Sequence, residues 1–247
     1  MNPANIMREA LWPRRVICLC CQRPSRGEHL CGECRDQLES LRIEGPVCEI
    51  CGHPLTDGQC AFCDLTGIAT LRSVWGYGGQ ARQLILTLKH HGVADAAQVM
   101  ADGMAALARR MSLPPDTVVT WPTMPRCRRL ERGIDHGARL ASAVGDRLHL
   151  PVRQLLTRSE TVAAHTQVGL SRTERLTRLQ GAFSCDAPPR CHVLLVDDVL
   201  TTSATATACA ECLLDAGAYS VNVITAAQTA LPDKNRNGKE ECEHVGT

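Results

Sequence analysis

The stretch VLLVDDVLTTSAT, residues 193–205, constrains the fold of this chain more than any other part of it. Val193 to Val196 are apolar without a break, which suits a strand covered on both faces in a parallel sheet. Ala206, Ala210, Leu213 and Leu214 then recur at helical spacing, Gly217 suits a helix C-terminus, and Val221 to Ala226 form a second strand. A strand, a helix and a strand in that order make a βαβ unit, and its sheet is expected to be parallel. In open parallel sheets ligands settle where strands end and loops turn into helices. Here Asp197 and Asp198 close the first strand, and Thr201, Thr202, Ser203, Ala204 and Thr205 lead into the helix. Amides and hydroxyls at a helix N-terminus grip a phosphate, while paired acids suit ribose hydroxyls or a hydrated Mg²⁺. An acid pair at a strand end is, alone, more often an N-cap or a surface loop. The whole string favours a ribose 5-phosphate group, anion at one end and diol at the other.

Alternating strand-like and helix-like segments begin near residue 70. LRSVWGYGG favours a strand through Val74, Trp75 and Tyr77. Ala97, Met100, Met104, Ala108 and Met111 form the apolar stripe of a core-facing helix, so the methionines read as packing. Thr117 to Trp121 make a short strand that stops at Pro122, and Leu140, Val144 and Leu148 mark another helix.

Ahead of this domain the cysteines change the picture. Eight fall in four CxxC pairs, Cys18/Cys21, Cys31/Cys34, Cys48/Cys51 and Cys60/Cys63. Each pair turns the backbone into a knuckle with two thiolates on one centre, and two knuckles complete the tetrahedron that Zn²⁺ prefers. Two structural zinc sites follow. Sequential sharing is the simplest arrangement, and a cross-braced one satisfies the same spacing. Gly52, Pro54 and Gly58 supply the turns. His29 and His53 are surplus to complete Cys sets. The other seven cysteines, Cys20, Cys127, Cys185, Cys191, Cys209, Cys212 and Cys242, read as small core residues or surface thiols.

Charge bears on partners. Residues 8–63 hold seven arginines, no lysines and eight acids, a balance of −1 that eight thiolates and two Zn²⁺ bring to −5. That sign opposes a surface built to displace counterions from nucleic acid. The whole chain, +1 at pH 7 with 3% aromatics, likewise lacks the charge and the stacking rings of a dedicated single-stranded DNA binder. Its first residues resemble neither a secretory signal nor a membrane span, so a cytoplasmic protein without membrane insertion is expected. The expected division is a double zinc-ribbon module at 1–66, an α/β domain at 67–230 and a disordered polar tail at 231–247.

With these residues in view, the chain resembles the ComF family of competence-associated proteins, which join a double zinc ribbon to a phosphoribosyltransferase domain. The resemblance spans nearly all of residues 13–229 and rests on the four CxxC pairs, on VLLVDDVLTTSAT, and on the segments WPTMPRCRRLERG and QVGLSRTERLTRLQGAF. It implies a type I phosphoribosyltransferase-like parallel sheet flanked by helices. It also implies phosphoribosyl pyrophosphate (PRPP) or a related ribose phosphate as ligand, with Mg²⁺, and a role linked to DNA uptake. Asp197 and Asp198 would then be catalytic, and Thr201, Thr202, Ser203, Ala204, Thr205 and Arg132 would bind the ligand. Arg126, Arg128, Arg129, Arg139, Arg172 and Arg175 supply further cations of the kind a diphosphate needs. The chain departs from the family at Ser203, where glycine is usual, at Asp135, where an amide is usual, and at Arg178, where asparagine is usual. These departures bear on turnover, with the acceptor unassigned. A PRPP sensor or an adaptor for DNA-processing partners, or a single-stranded DNA binder, are the competing readings.

Overall fold

The computed structural model describes residues 16–25, 27–55, 58, 60, 65–125, 129–130, 133–159, 181–186 and 189–229. Strands β1 (Val16–Ile17) and β2 (Pro24–Ser25) pair antiparallel, and helix α1 (Gly32–Glu39) starts directly after Cys31. The α/β part runs β3 (Thr70–Gly76), α2 (Gly79–His91), α3 (Ala94–Ala108), β4 (Val118–Thr120), α4 (His136–Leu148), β5 (Thr157–Arg158), β6 (Phe183–Ser184), β7 (His192–Leu200), α5 (Ala204–Asp215) and β8 (Ser220–Gln228).

The central sheet has the order β3-β8-β7-β4, and all its neighbours are parallel. β7, α5 and β8 form the expected βαβ unit. Val193 and Leu195 face α5, where they pack with Leu213, Val221 and Val223. Leu194 and Val196 face the other way, onto Leu84, Leu88, Met100, Met104 and Val144 of α2, α3 and α4. All four β7 residues are fully buried, which is what the unbroken apolar run required. Met100 and Met104 are core, as their spacing implied, whereas Met111 lies past the end of α3. Gly217 sits at φ 102 after α5, the left-handed C-terminal position in which glycine carries no Cβ penalty.

Helix α2 was not legible as a separate element beforehand, although Ala81, Leu84, Ile85 and Leu88 carry its buried stripe. It ends at Gly92, φ 59, whose Cβ would lie 2.2 Å from Cδ1 of Ile134. Only glycine combines that left-handed turn with so close an approach.

The cysteine-rich module is built into this architecture. Gly76 N–H donates to the Leu41 carbonyl at 2.8 Å and Ile43 N–H to the Val74 carbonyl at 2.9 Å, while Leu71 N–H reaches the Ile50 carbonyl at 2.7 Å. The module thus covers the open edge of β3, removing a row of unpaired backbone groups. Cys18, Leu30, Cys34 and Leu38 belong to the same buried cluster as Val74, Trp75 and Leu84, so the two parts share a core.

Candidate functional site

Two kinds of site emerge. In the module, the Sγ atoms of Cys18, Cys21, Cys31 and Cys34 all lie within 4.8 Å of one another, as do those of Cys48, Cys51 and Cys60. This is the sequential arrangement of the knuckles; Cys63 lies outside the described residues. Four thiolates at about 2.3 Å from Zn²⁺ stand roughly 3.8 Å apart, and Cys21 and Cys31 are 3.7 Å apart. The residues therefore fit structural zinc. Both knuckles are built alike: Gln22 N–H and Gly52 N–H each donate at 2.9 Å to the carbonyl of the first cysteine, Cys18 or Cys48. Gln22 has φ 59 and Gly52 has φ 67. Gly52 has a second reason to be glycine, since a Cβ there would lie 2.5 Å from the Leu71 carbonyl oxygen on β3.

The second site is at the C-terminal edge of the sheet. Successive strand residues face opposite sides. Asp198 therefore projects toward α2 and α4, where Lys89 Nζ donates to its Oδ1 at 2.8 Å and His136 Nε2 stands 3.5 Å from its Oδ2. Asp198 is 7% exposed. Asp197 projects toward α5, level with Thr225 and Ser73, whose hydroxyls are hydrogen-bonded at 2.7 Å across β8 and β3. Burial first, and then the charge of Asp198, push the Asp197 carboxyl up to about 7, although it accepts the Asp198 N–H at 2.8 Å. The two acids thus lie side by side in sequence without converging on one point. They do not form a chelating pair for Mg²⁺, because they face opposite sides of the sheet and Asp198 already holds an ammonium.

Beyond β7, Thr201 is exposed, Thr202, Ser203 and Thr205 are half-buried, and Ala204 is buried. Ser203 adopts φ 58, ψ −7, the left-handed region in which glycine alone carries no Cβ penalty. Its Oγ donates to the Thr202 carbonyl at 2.5 Å and does not cap α5. The Ser203 side chain therefore leaves the N–H groups of the first turn of α5 to other acceptors, and no acidic side chain stands in that turn.

The remaining predicted residues divide. Asp135 is the N-cap of α4, accepting Ala138 N–H at 2.9 Å and Trp121 Nε1–H at 3.3 Å, so its carboxylate is engaged by the fold. Arg139 donates to the Gly92 carbonyl at 2.6 Å and ties α4 to the end of α2. Arg129 is exposed. Arg126, Arg128, Arg132, Arg172, Arg175 and Arg178 lie outside the described residues, as does the polar tail. Sequence reasoning missed Lys89 and His136. His136 stands one residue from an acid already singled out, and Lys89 closes a helix whose apolar stripe was the available signal. Thr123, in the loop after β4, is 6% exposed, and its hydroxyl has no partner among the described residues. Of the scattered cysteines, Cys191 and Cys209 are buried, Cys20, Cys185 and Cys212 are half-buried, and Cys127 and Cys242 lie outside the described residues. A cavity of about 490 Å³ lies against the second half of α5 and β6, lined by Phe183, Cys185, Glu211 and Cys212, and contains none of the strand-end residues. Among the described residues, no helix is long and apolar enough to cross a membrane.

The chain is similar to known proteins in its cysteine-rich segment and over most of its length. Residues 7–66 match the double zinc ribbon domain. Over 208 residues the chain is 24% identical to competence protein ComFC of Bacillus subtilis, covering 80% of this chain and 83% of that protein. It is 29% identical over 218 residues to DNA utilization protein YhgH of Escherichia coli K12, covering 84% of this chain and 94% of that one. Among solved structures, a glutamine PRPP amidotransferase from B. subtilis is similar at a TM-score of 0.39 and 17% identity, over 57% of this chain and 30% of that one. A hypoxanthine phosphoribosyltransferase from Staphylococcus aureus is similar at 0.35 and 15%, over 62% and 73%.

Proposed function

We propose that the C-terminal edge of the sheet binds PRPP or a related ribose phosphate, in a protein that serves DNA uptake or DNA utilization. One observation carries this reading: an acid pair at the end of a buried parallel strand runs through a hydroxyl-rich loop into a helix whose first-turn amides the Ser203 side chain does not cap. Those amides, with Thr201, Thr202 and Thr205, are suited to a 5-phosphate. Asp197 and Asp198 would accept from the ribose hydroxyls from the two sides of the strand end, not as one converging pair. Mg²⁺ enters this reading as a companion of the ligand's own oxygens, not as an ion chelated by the acid pair. The link to DNA follows the names of the two relatives, whose length this chain nearly spans.

In a transferase, the bond from C1 to the diphosphate breaks, the diphosphate leaves with the electron pair, and an acceptor nitrogen bonds to C1. The site would stabilise the charge gathering on the leaving group. A sensor would stop at binding.

The test is calorimetric titration of the zinc-loaded protein with PRPP and Mg²⁺, alongside a pyrophosphate-release assay with candidate bases and amines. Binding with release identifies a transferase, and binding without release a sensor. Replacing Asp197 and Asp198 together by Asn keeps the side-chain shape but removes the carboxylate acceptors, of which a charged one is worth roughly 1.5 to 3 kcal/mol. PRPP affinity is expected to fall about a hundredfold or more with the fold retained. Unchanged affinity in the double variant would reject the site.

A further inference from the structure

Lys89 and Asp198 are 109 residues apart in sequence, and their contact exists only because α2 packs on the same sheet face as α4. The ammonium has three donors and no acceptor capacity, and among the described residues one donor goes to Asp198 Oδ1. Its side chain is 27% exposed, so the remaining donors are not sealed within the core. Asp198 is itself held from the other side, where His136 Nε2 stands 3.5 Å from Oδ2 at the start of α4. The carboxylate therefore acts as a clamp between two helices, with the ammonium fixed at the end of β7.

The loop beyond β7 contains no basic residue from Thr201 to Thr205. An anion bound there relies on amides and hydroxyls. A second, more highly charged anion on the same ligand needs a cation, and Arg139, which the sequence suggested, is bonded to the Gly92 carbonyl instead. The loop following β4 carries the buried Thr123 hydroxyl, which has no partner among the described residues. That loop is joined to the start of α4 by the Trp121–Asp135 hydrogen bond, and Gly137 leaves room for it beside the Pro122 carbonyl.

We infer that Lys89 is a ligand-contacting residue of this site, held in place by Asp198, and that it selects for an anionic group on C1 of the bound ribose phosphate. The inference rests on the PRPP reading above and adds the end of the ligand that Lys89 recognises. Asp198 then positions Lys89 as well as accepting from the sugar. The ammonium is a point charge on a flexible stem, suited to the several oxygens of a diphosphate.

Two ligands separate the ends: PRPP carries the C1 diphosphate and ribose 5-phosphate lacks it. In calorimetry with Mg²⁺ present, Lys89→Gln is expected to lose tenfold or more in affinity for PRPP and to bind ribose 5-phosphate within twofold of wild type. Lys89→Arg is expected to recover most of the PRPP affinity. PRPP binding by Lys89→Gln within twofold of wild type would overturn the inference, as would an equal loss for both ligands, which is the mark of a merely structural role. A second measurement uses the unaltered protein. In amine-reactive labelling read by mass spectrometry, PRPP should protect Lys89 where ribose 5-phosphate does not, and equal labelling with the two ligands overturns the assignment. If wild type binds neither ligand, the reading of the site itself fails, a result distinct from PRPP binding that ignores Lys89.

Discussion

Replacing Asp197 by Asn is expected to stabilise the unliganded protein, and to do so more at pH 8 than at pH 5. The half-buried carboxyl lies on the α5 side of β7, level with Thr225 and Ser73, and burial followed by the Asp198 charge raises it from 3.8 to about 7. An acid with a raised native pKa binds its proton in the folded state where the unfolded chain has released it. Between about pH 4 and pH 7 the native state thus holds more protons than the unfolded state, and stability falls as pH rises. The contribution is fully present below pH 4 and lost by pH 7. With 1.36 kcal/mol per pH unit, the loss from this group is at most about 4 kcal/mol over the window, and about 3 kcal/mol between pH 5 and pH 8. Asn removes the titration and leaves an oxygen to accept the Asp198 N–H, now 2.8 Å from Asp197 Oδ1. Urea unfolding followed by circular dichroism, run on both proteins from pH 5 to pH 8, reads the difference. The zinc module contributes its own pH dependence equally to both and cancels. Parallel stability curves, offset by a constant, would refute the argument, because they would mean that Asp197 ionises in the folded protein as it does in the unfolded chain.

Elemental analysis is expected to find about two zinc ions per chain, and a single ion would break the two-knuckle assignment. Cys48→Ser should release the second knuckle from β3, where Ile50 accepts from Leu71 and the Cys48 and Glu49 carbonyls accept from Arg72. Because the module shares its core with the sheet, the variant should lower the melting temperature of the whole protein, and a separate melt of the module over an unchanged domain transition would contradict the shared core. Ser203→Gly relieves a left-handed backbone at φ 58 and should raise stability by about 1 kcal/mol in denaturant unfolding, with PRPP affinity unchanged or improved. A destabilised Gly variant would show that the Ser203 hydroxyl's bond to the Thr202 carbonyl outweighs the strain.

The parts legible in the sequence were those set by contacts near in the chain. CxxC spacing brings two thiolates to one centre wherever the knuckle ends up, so the four pairs could be named before the fold, while which pairs share a centre was decided by the fold. Val193 to Val196 declared a strand buried on both faces, and Ala206 to Leu214 declared the helix behind it, because each period is a property of a few consecutive residues. The acid pair and the hydroxyl loop followed from that local order, and the positive φ of Ser203 fits the glycine usual there in the family that the sequence resembles. Tertiary packing decided the rest. No local pattern places β8 between β3 and β7, or lays residues 41–43 along the edge of β3. Nor does one say that Asp135 caps α4, that Arg139 is taken up by the Gly92 carbonyl, or that Lys89 reaches Asp198 across 109 residues. Those contacts join elements remote in sequence, and which side chains meet there depends on how the two faces of the sheet fill with helices. Which acid faces which side of the sheet follows from the two-residue period of a strand; what waits for it on that side is a property of the folded whole.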